Sequence, residues 1–364
     1  MNKKVIRTDA LMVPIAHFSH GMRVGDEIHL GATAGTDENR RLCGAPPGLP
    51  DARAQADRMY RNMSLALELL GGGLHDVVRL KTYVTDWRDL AGCEEAYVQH
   101  FHAPHPTRSI VASWGFPLPF AVVEAELTAY VGPRPNHHHG VAGGEDAAQA
   151  LSALSAQLRE PGFRMCDVVK ITATLAGLRD YPAFEDAFRG AFRAPFPART
   201  ITVAPLSDPR RRIELEWVAV AGGGEPVEAR GIAQHPGAAS PAIVAGKHLY
   251  LSAQPGIGVD GRYADGVEQQ TRAAWRRIHA LIEAAGMEPP DVVRTNNWLT
   301  DWRSYEAFNS GYGQFVRSPY PPRATVIGGM LDAEALVQIE AVAHGEADSA
   351  TVLEASVPWQ KQGN

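Results

Sequence analysis

The sequence predicts an α/β (α+β) protein of three tandem units closing into a pseudo-trimer, each unit a mixed sheet with two helices on one face. Two observations carry this. An Asp-Val-Val tripeptide occurs three times, and 32 residues after each aspartate stands an arginine just behind a proline-bearing turn: Asp76 and Arg108, Asp167 and Arg199, Asp291 and Arg323. Each arginine is then followed by an acidic strand pattern: Val123-Glu124-Ala125-Glu126, Ile213-Glu214-Leu215-Glu216 and Val337-Gln338-Ile339-Glu340. An internal repeat of this size is one supersecondary unit written several times. Two helices cover one face of a sheet and leave the other needing a partner. Three units in one chain meet that need by packing edge to edge, the one-chain counterpart of a C3 trimer.

The first unit, residues 1–132, opens with strands near Gly21–Val24 and Glu27–Ala32 around a Gly25-Asp26 turn. A loop at Ala45-Pro46-Pro47-Gly48 precedes a helix whose Ala56, Met59, Met63, Leu67 and Leu70 share one face, ended by Gly71-Gly72-Gly73. Val77–Thr85 reads as a strand and Arg88–Phe101 as a helix, stopped by Pro104–Pro106. Arg108–Ser113 and Ala121–Val131 are the closing strands. The third unit, 230–346, repeats this order, with a hairpin at Ala242–Ser252 and helices carrying Val267–Leu281 and Ser304–Phe315. The middle unit, 133–229, lacks the opening hairpin: Gly132–Gly140 runs almost directly into the helix Ala147–Leu158, with a second helix at Tyr181–Phe192. That shortening explains why Arg108 and Arg199 are 91 residues apart but Arg199 and Arg323 are 124 apart. Residues 347–364 read as a loose tail.

Composition narrows the function classes. Hydrophobic residues at 45 % and charged residues at 21 % are ordinary globular values. A net charge of −6 without a basic run predicts no nucleic-acid partner. No apolar stretch reaches about 18 residues, so no membrane partner is expected. The basic residues at Lys3 and Lys4 have no apolar core behind them, unlike a secretory signal. Cys43, Cys93 and Cys166 are scattered without metal-ligand spacing, which points to a reducing cytoplasm rather than a disulfide framework.

Arg108, Arg199 and Arg323 are candidate anion anchors, because a guanidinium fork suits a carboxylate; the competing role is a surface or interface salt bridge. On the closing strand Val123, Ala125 and Leu127 share one face, leaving Glu124 and Glu126 together on the other. Two like charges there should raise one pKa and produce a group able to activate water or protonate a leaving group. An inter-unit salt bridge is again the alternative. Glu214 and Glu216 repeat the arrangement, and Gln338 breaks it in the third unit. His137–His139 lie in a Pro/Gly-rich stretch without regular ligand spacing, so no metal site is expected. Met12, Trp114, Trp275 and Trp302 read as packing residues. There is no phosphate-binding or dinucleotide fingerprint.

Together the hairpin turn, the Asp-Val-Val-Arg/Lys strand entry, Thr-Asp-Trp-Arg at 85–88 and 300–303, Pro-Xaa-Arg and the final Glu-Xaa-Glu resemble the RidA (YjgF-like reactive intermediate deaminase) family over nearly the whole chain. The resemblance implies a chorismate-mutase-like fold with clefts between units. It also implies hydrolysis of imines and enamines such as 2-aminoacrylate to a keto acid and ammonia, with no metal or organic cofactor. It gives the carboxylate grip to Arg108, Arg199 and Arg323, and water handling to Glu124 and Glu214, with Gln338 in the third unit. The family's helix asparagine is Asn309 but Glu94 and Glu185 elsewhere; its Ser-Gly is best kept by Ser252-Ala253 and becomes Gly31-Ala32. The aromatic at the cleft mouth is Phe18, with Ala239 in the third unit, and the family cysteine is replaced by Ile110, Ile201 and Thr325. No unit has the full set. The expected site therefore joins an Arg and a Glu of unit one or two to Ser252 and Asn309 of unit three. The partner implied is a small-molecule substrate, and the ring itself is self-contained, as a monomer or a dimer. The alternatives are a chorismatase-like enzyme cleaving an enol ether, a non-catalytic ligand-binding ring, a ribonuclease, and a three-repeat ring hydrolase of the cyanuric acid hydrolase kind. The acidic charge disfavours the ribonuclease, and the absence of matched Ser–Lys pairs disfavours the last.

Overall fold

The computed structural model describes residues 2–45, 50–132, 136–232, 237–346 and 349–354. The first unit contains β1 (Asn2–Arg7), β2 (Gly21–Val24), β3 (Glu27–Ala34), α1 (Ala52–Leu69), β4 (Val77–Val84), α2 (Leu90–His100), β5 (Thr107–Ala112) and β6 (Val123–Tyr130). The second contains β7 (His137–Gly144), α3 (Ala147–Arg159), β8 (Val168–Leu175), α4 (Tyr181–Ala191), β9 (Ala198–Val203) and β10 (Ile213–Val220). The third contains β11 (Glu225–Val227), β12 (Ala242–Ala245), β13 (His248–Leu251), β14 (Gln254–Pro255), α5 (Gly266–Ala284), β15 (Val292–Leu299), α6 (Tyr305–Tyr312), β16 (Arg323–Ile327) and β17 (Val337–His344). A last strand, β18 (Ser349–Glu354), returns to the first unit.

Local chemistry accounts for the recurring elements. Helix α1 starts where the Asp51 carboxylate accepts a hydrogen bond from the Ala54 amide at 3.0 Å, and Asp146 does the same for Gln149 at 2.8 Å to start α3. The apolar stripe of α1, Ala56, Met59, Met63 and Leu67, is buried against the sheet, as its spacing predicts. The repeated aspartate has a structural task in all three units. Asp76, Asp167 and Asp291 close a 3₁₀ turn by accepting from the amides of Gly73, Arg164 and Glu288 at 2.9, 2.8 and 2.7 Å. That turn aims the chain into β4, β8 and β15.

The sheets run β18-β1-β2-β3-β6-β4-β5, β7-β10-β8-β9 and β11-β12-β13-β17-β15-β16. In each, the strand after the first helix pairs in parallel with the strand carrying the arginine and antiparallel with the acidic strand. Two expectations need correction. His137–His139 do not belong to a linker: they begin β7, which pairs with all of β10 and stands in the place of β3, so the middle unit lacks only the outer strand of its hairpin. The alternation of Ala142 and Gly144 inward was hidden by the glycines and histidines around them. Nor is the whole end of the chain a loose tail, since β18 pairs in parallel with β1 from Asn2↔Ser349 to Arg7↔Glu354. Residues 355–364 and Pro46–Leu49 lie outside the described residues.

The helices of each unit bury one sheet face in a core of their own. The other faces meet at the centre, where Val5, Met22, Val169, Ile243, Val293 and Val342 pack across unit boundaries. The ring closes cyclically. The Thr107 hydroxyl donates to the His139 carbonyl (2.9 Å), the Arg199 amide donates to the Ser252 hydroxyl (2.7 Å), and Gly31 lies against Arg323. A Cβ on Gly31 would come within 2.6 Å of the Arg323 carbonyl oxygen, so only glycine lets units three and one approach here.

Candidate active site

Cyclic packing makes three clefts, each placing the arginine of one unit beside the acidic strand of the next. In the cleft between units one and two, Arg108 stacks on Tyr97 with its guanidinium carbon 3.8 Å from the ring centroid. Glu94 takes both ends of its fork, one at 2.8 Å and the other closer still. Glu214 sits across this cleft and accepts a hydrogen bond from the Ser109 hydroxyl at 2.6 Å.

Between units two and three, Arg199 is 1 % exposed and donates to Glu185 at 2.7 Å. The Ala238 amide donates to the other oxygen of Glu185, and a Cβ on Gly237 would lie 2.5 Å from an Arg199 terminal nitrogen. The chain around Ala239 thus covers the guanidinium. Ser252 does not face the opening: its hydroxyl accepts from the Arg199 amide and donates to the Ser240 carbonyl. Gln338 of unit three donates to the Ile201 carbonyl at 2.9 Å.

The third cleft, between units three and one, differs in charge. Arg323 donates to the Asn309 side-chain oxygen at 2.6 Å and to the Tyr305 hydroxyl at 3.2 Å. Its other terminal nitrogen, Nη1, is buried with no hydrogen-bond partner, and among the described residues no carboxylate lies within ion-pair distance of it. Tyr312, Phe308 and Phe18 ring the guanidinium at 4.6, 5.3 and 5.5 Å from their centroids, faces suited to a cation. Arg323 lines a pocket with Glu124, Phe18, Thr325, Tyr305, Met12, Ile15, Leu118 and Arg40, about 610 Å³ of atom-free space including its mouth.

The two facing positions of the acidic strands divide their labour: Glu126, Glu216 and Glu340 occupy one, and Glu124, Glu214 and Gln338 the other. Glu216 and Glu340 form salt bridges to the preceding unit, the inter-unit alternative, whereas Glu126 pairs with Arg79 of its own unit and reaches across the boundary only to the Asn296 amide. Glu216 accepts from Arg79 at 2.9 Å and from Lys81; Glu340 pairs with Lys170 at 2.8 Å; Glu126 accepts from Arg79 at 3.0 Å and from Asn296 at 2.7 Å. Burial alone would raise the Glu216 pKa, but Lys81 and Arg79 together hold it at about 2. Glu124, by contrast, is 6 % exposed, and its carboxyl makes no hydrogen bond among the described residues. Burial pushes its pKa up to about 8. Glu214 rises to about 6, chiefly by burial and only secondarily through Glu216. Mutual repulsion along the strand, expected as the main cause, is therefore minor: the neighbouring glutamates are already neutralised, and loss of water dominates.

The structure brings Arg323, Asn309, Glu124 and Phe18 together. It separates Ser252 and Asn309, which the sequence placed in one site, because each cleft joins an arginine's own helix to the next unit's hairpin. Trp275 is core, as expected, but Trp114 is 58 % exposed and Met12 lines the pocket. Tyr305 was missed; it lies one turn before Asn309 on α6, the spacing that puts both on one helix face. The capping role of Glu94 and Glu185 was missed too. A signal existed: Glu94, Glu185 and Asn309 each precede their arginine by 14 residues.

Comparison with known proteins agrees with this architecture. The model of the Endoribonuclease L-PSP family matches three times, at residues 8–131, 138–221 and 233–345. The chain belongs to this family. RidA-type proteins are among its relatives, so the recognition made from the repeated motifs stands. The 2-iminobutanoate/2-iminopropanoate deaminase of Dermatophagoides farinae is 31 % identical over 105 residues, 28 % of this chain and 82 % of that protein. The crystal structure of RidA from the Antarctic bacterium Psychrobacter sp. is 29 % identical over 35 % of this chain and 98 % of its own, with a TM-score of 0.32. A chorismatase structure covers 74 % of this chain and 93 % of its own at 16 % identity and a TM-score of 0.56, a likeness of fold.

Proposed function

We propose that this ring is a hydrolytic deaminase-like enzyme with one working cleft, between units three and one, acting on a small imine or enamine that carries a carboxylate. The observation that carries it is a guanidinium without a carboxylate, Arg323, lining one pocket with a glutamate that is protonated at neutral pH, Glu124. Substrate carboxylate would replace the missing counter-ion of Arg323, with Asn309 and Tyr305 holding the fork in place. The Glu124 carboxyl gives its proton to the enamine β-carbon, leaving an iminium and a glutamate carboxylate. That carboxylate then takes a proton from water as it attacks the iminium carbon, giving a carbinolamine; the proton passes on to the amine, ammonia leaves, and the hydroxyl proton returns to Glu124 as the keto acid forms. One group thus serves as acid and then base. The relative named as an imine deaminase supports the reaction class. In this scheme Arg108 and Arg199 are ring-holding residues, and Ser252, Gln338 and Glu214 support the other two interfaces.

The test is ammonia and keto-acid release from enzymatically generated 2-aminoacrylate and larger imines, with Arg323→Ala beside Arg108→Ala and Arg199→Ala. Loss confined to Arg323→Ala supports the scheme; equal losses in all three, with folding intact, overturn it. A protonated glutamate also favours a second reading, cleavage of an enol ether by a chorismatase-like route with Glu124 as proton donor. Release of pyruvate from an enol-ether substrate, without turnover of any imine, would select that reading.

A further inference from the structure

The Arg323 pocket contains a second cation that the deaminase scheme does not use. After β3, the chain makes a tight turn in which Thr36 bridges to Leu42 and the Asp37 carboxylate accepts from the amides of Asn39 and Arg41 at 2.9 and 2.8 Å. Asp37 also holds the Arg41 guanidinium at 2.7 Å, and nearby Glu38 lies 3.8 Å from Arg58. Both local acids are therefore engaged with other arginines. Arg40, which follows them in the same turn, has φ 65, a left-handed conformation that a bulky residue rarely adopts and that the Asp37 bonds hold here. Arg40 lines the same pocket as Arg323 and Glu124, and no described carboxylate lies within ion-pair distance of it. The remaining wall is apolar: Met12, Ile15, Phe18, Pro117 and Leu118.

We propose that the substrate is a dianion: a carboxylate held by Arg323 at the floor, an apolar body along the Met12–Phe18 and Leu118 walls, and a second acidic group held by Arg40 at the rim. This deepens the reading of the cleft given above and rests on it. With Arg323 and Arg40 both lining the pocket, and burial holding the Glu124 carboxyl uncharged near neutral pH, the site carries two positive charges without a counter-ion of its own. A monoanion as small as 2-aminoacrylate neutralises only one of these charges and leaves the apolar wall wet. A second carboxylate makes a charge-assisted contact at each end. Arg40 is then a specificity-determining residue, acting on affinity rather than on the bond-breaking step.

Calorimetric titration of the full chain with unreactive probes tests this: succinate, glutarate and adipate, each beside its monomethyl ester. One diacid is expected to bind wild type at least about tenfold more tightly than its own monoester. Arg40→Gln should bring that ratio near one while leaving the monoester's Kd within about twofold, and Arg40→Lys should restore part of it. Arg323→Ala should weaken diacid and monoester alike. Equal binding of every diacid and its monoester to wild type, still lost in Arg323→Ala, overturns the dianion proposal and leaves the single-carboxylate cleft standing. Absence of binding of any probe to wild type removes the cleft reading and this inference with it.

Discussion

Arg199 and Arg323 stand at matched ends of β9 and β16, each against phenylalanines of the helix behind it, yet only Arg199 meets a carboxylate of its own chain. Fourteen residues upstream of Arg199 is Glu185; at the same spacing from Arg323 is Asn309. A carboxylate turns the arginine into a closed internal ion pair, and the backbone near Ala238 seals it. An amide orients the same fork and leaves its charge without a counter-ion. The pair Arg108–Glu94 falls between: it is closed by charge, but Glu94 remains 41 % exposed. One change of functional group in a repeated helix thus separates a closed ion pair from an arginine without a carboxylate, the difference on which the proposed binding site rests.

The comparison breaks most sharply at Glu124 and Arg323. Glu124→Gln should lower kcat by roughly 10²–10⁴-fold with little change in KM, as for removal of a general acid–base group. Glu214→Gln should leave turnover nearly unchanged. Arg323→Ala should cost about 10³-fold in kcat/KM, equivalent to about 4 kcal/mol. For wild type, activity should fall as pH rises through about 8, because the proton donor is lost there. The stability sign follows from the same shift. Glu124 is protonated in the fold up to about 8 against an ordinary value of 4.5, so the stabilisation it gives at low pH is lost progressively between those values. Thermal melts at pH 9 should accordingly show Glu124→Gln more stable than wild type.

Smaller effects test the closed clefts. Arg199→Ala removes one charged partner of Glu185, which keeps Arg189 at 2.7 Å and the Ala238 amide, and should destabilise the ring by about 1.5–3 kcal/mol in denaturant titrations, whereas Arg199→Met with Glu185→Leu should recover part of that loss. In the Arg108 pair, exposed Glu94 can turn to water, so Arg108→Ala should cost about 1 kcal/mol or less. Glu94→Asn should convert that cleft towards the Arg323 type and add a second, weaker carboxylate site, visible as a stoichiometry rising from one to two. If the stoichiometry stays at one, an asparagine in place of the glutamate is not what opens a cleft.

Much of the fold lay open in the sequence because its determinants are local. Apolar spacing set α1 and α5, β-branched runs set β4 and β15, and the Asp-Val-Val aspartate caps its own turn three residues away. β7 escaped because three histidines and three glycines fill all but two of its positions, a pattern with no strand signature, and β18 because pairing with β1 spans the whole chain. The sequence by itself also put Arg323, Glu124, Asn309 and Phe18 among the candidates, since their residue types carry the chemistry. Only the tertiary structure decided which cleft they share, that Ser252 belongs to another, and that Arg40 lines the same pocket. Those outcomes depend on desolvation and on charges brought together from distant parts of the chain: Glu124 is shifted by losing water at a unit boundary, and Arg323 is left open by an amide on α6.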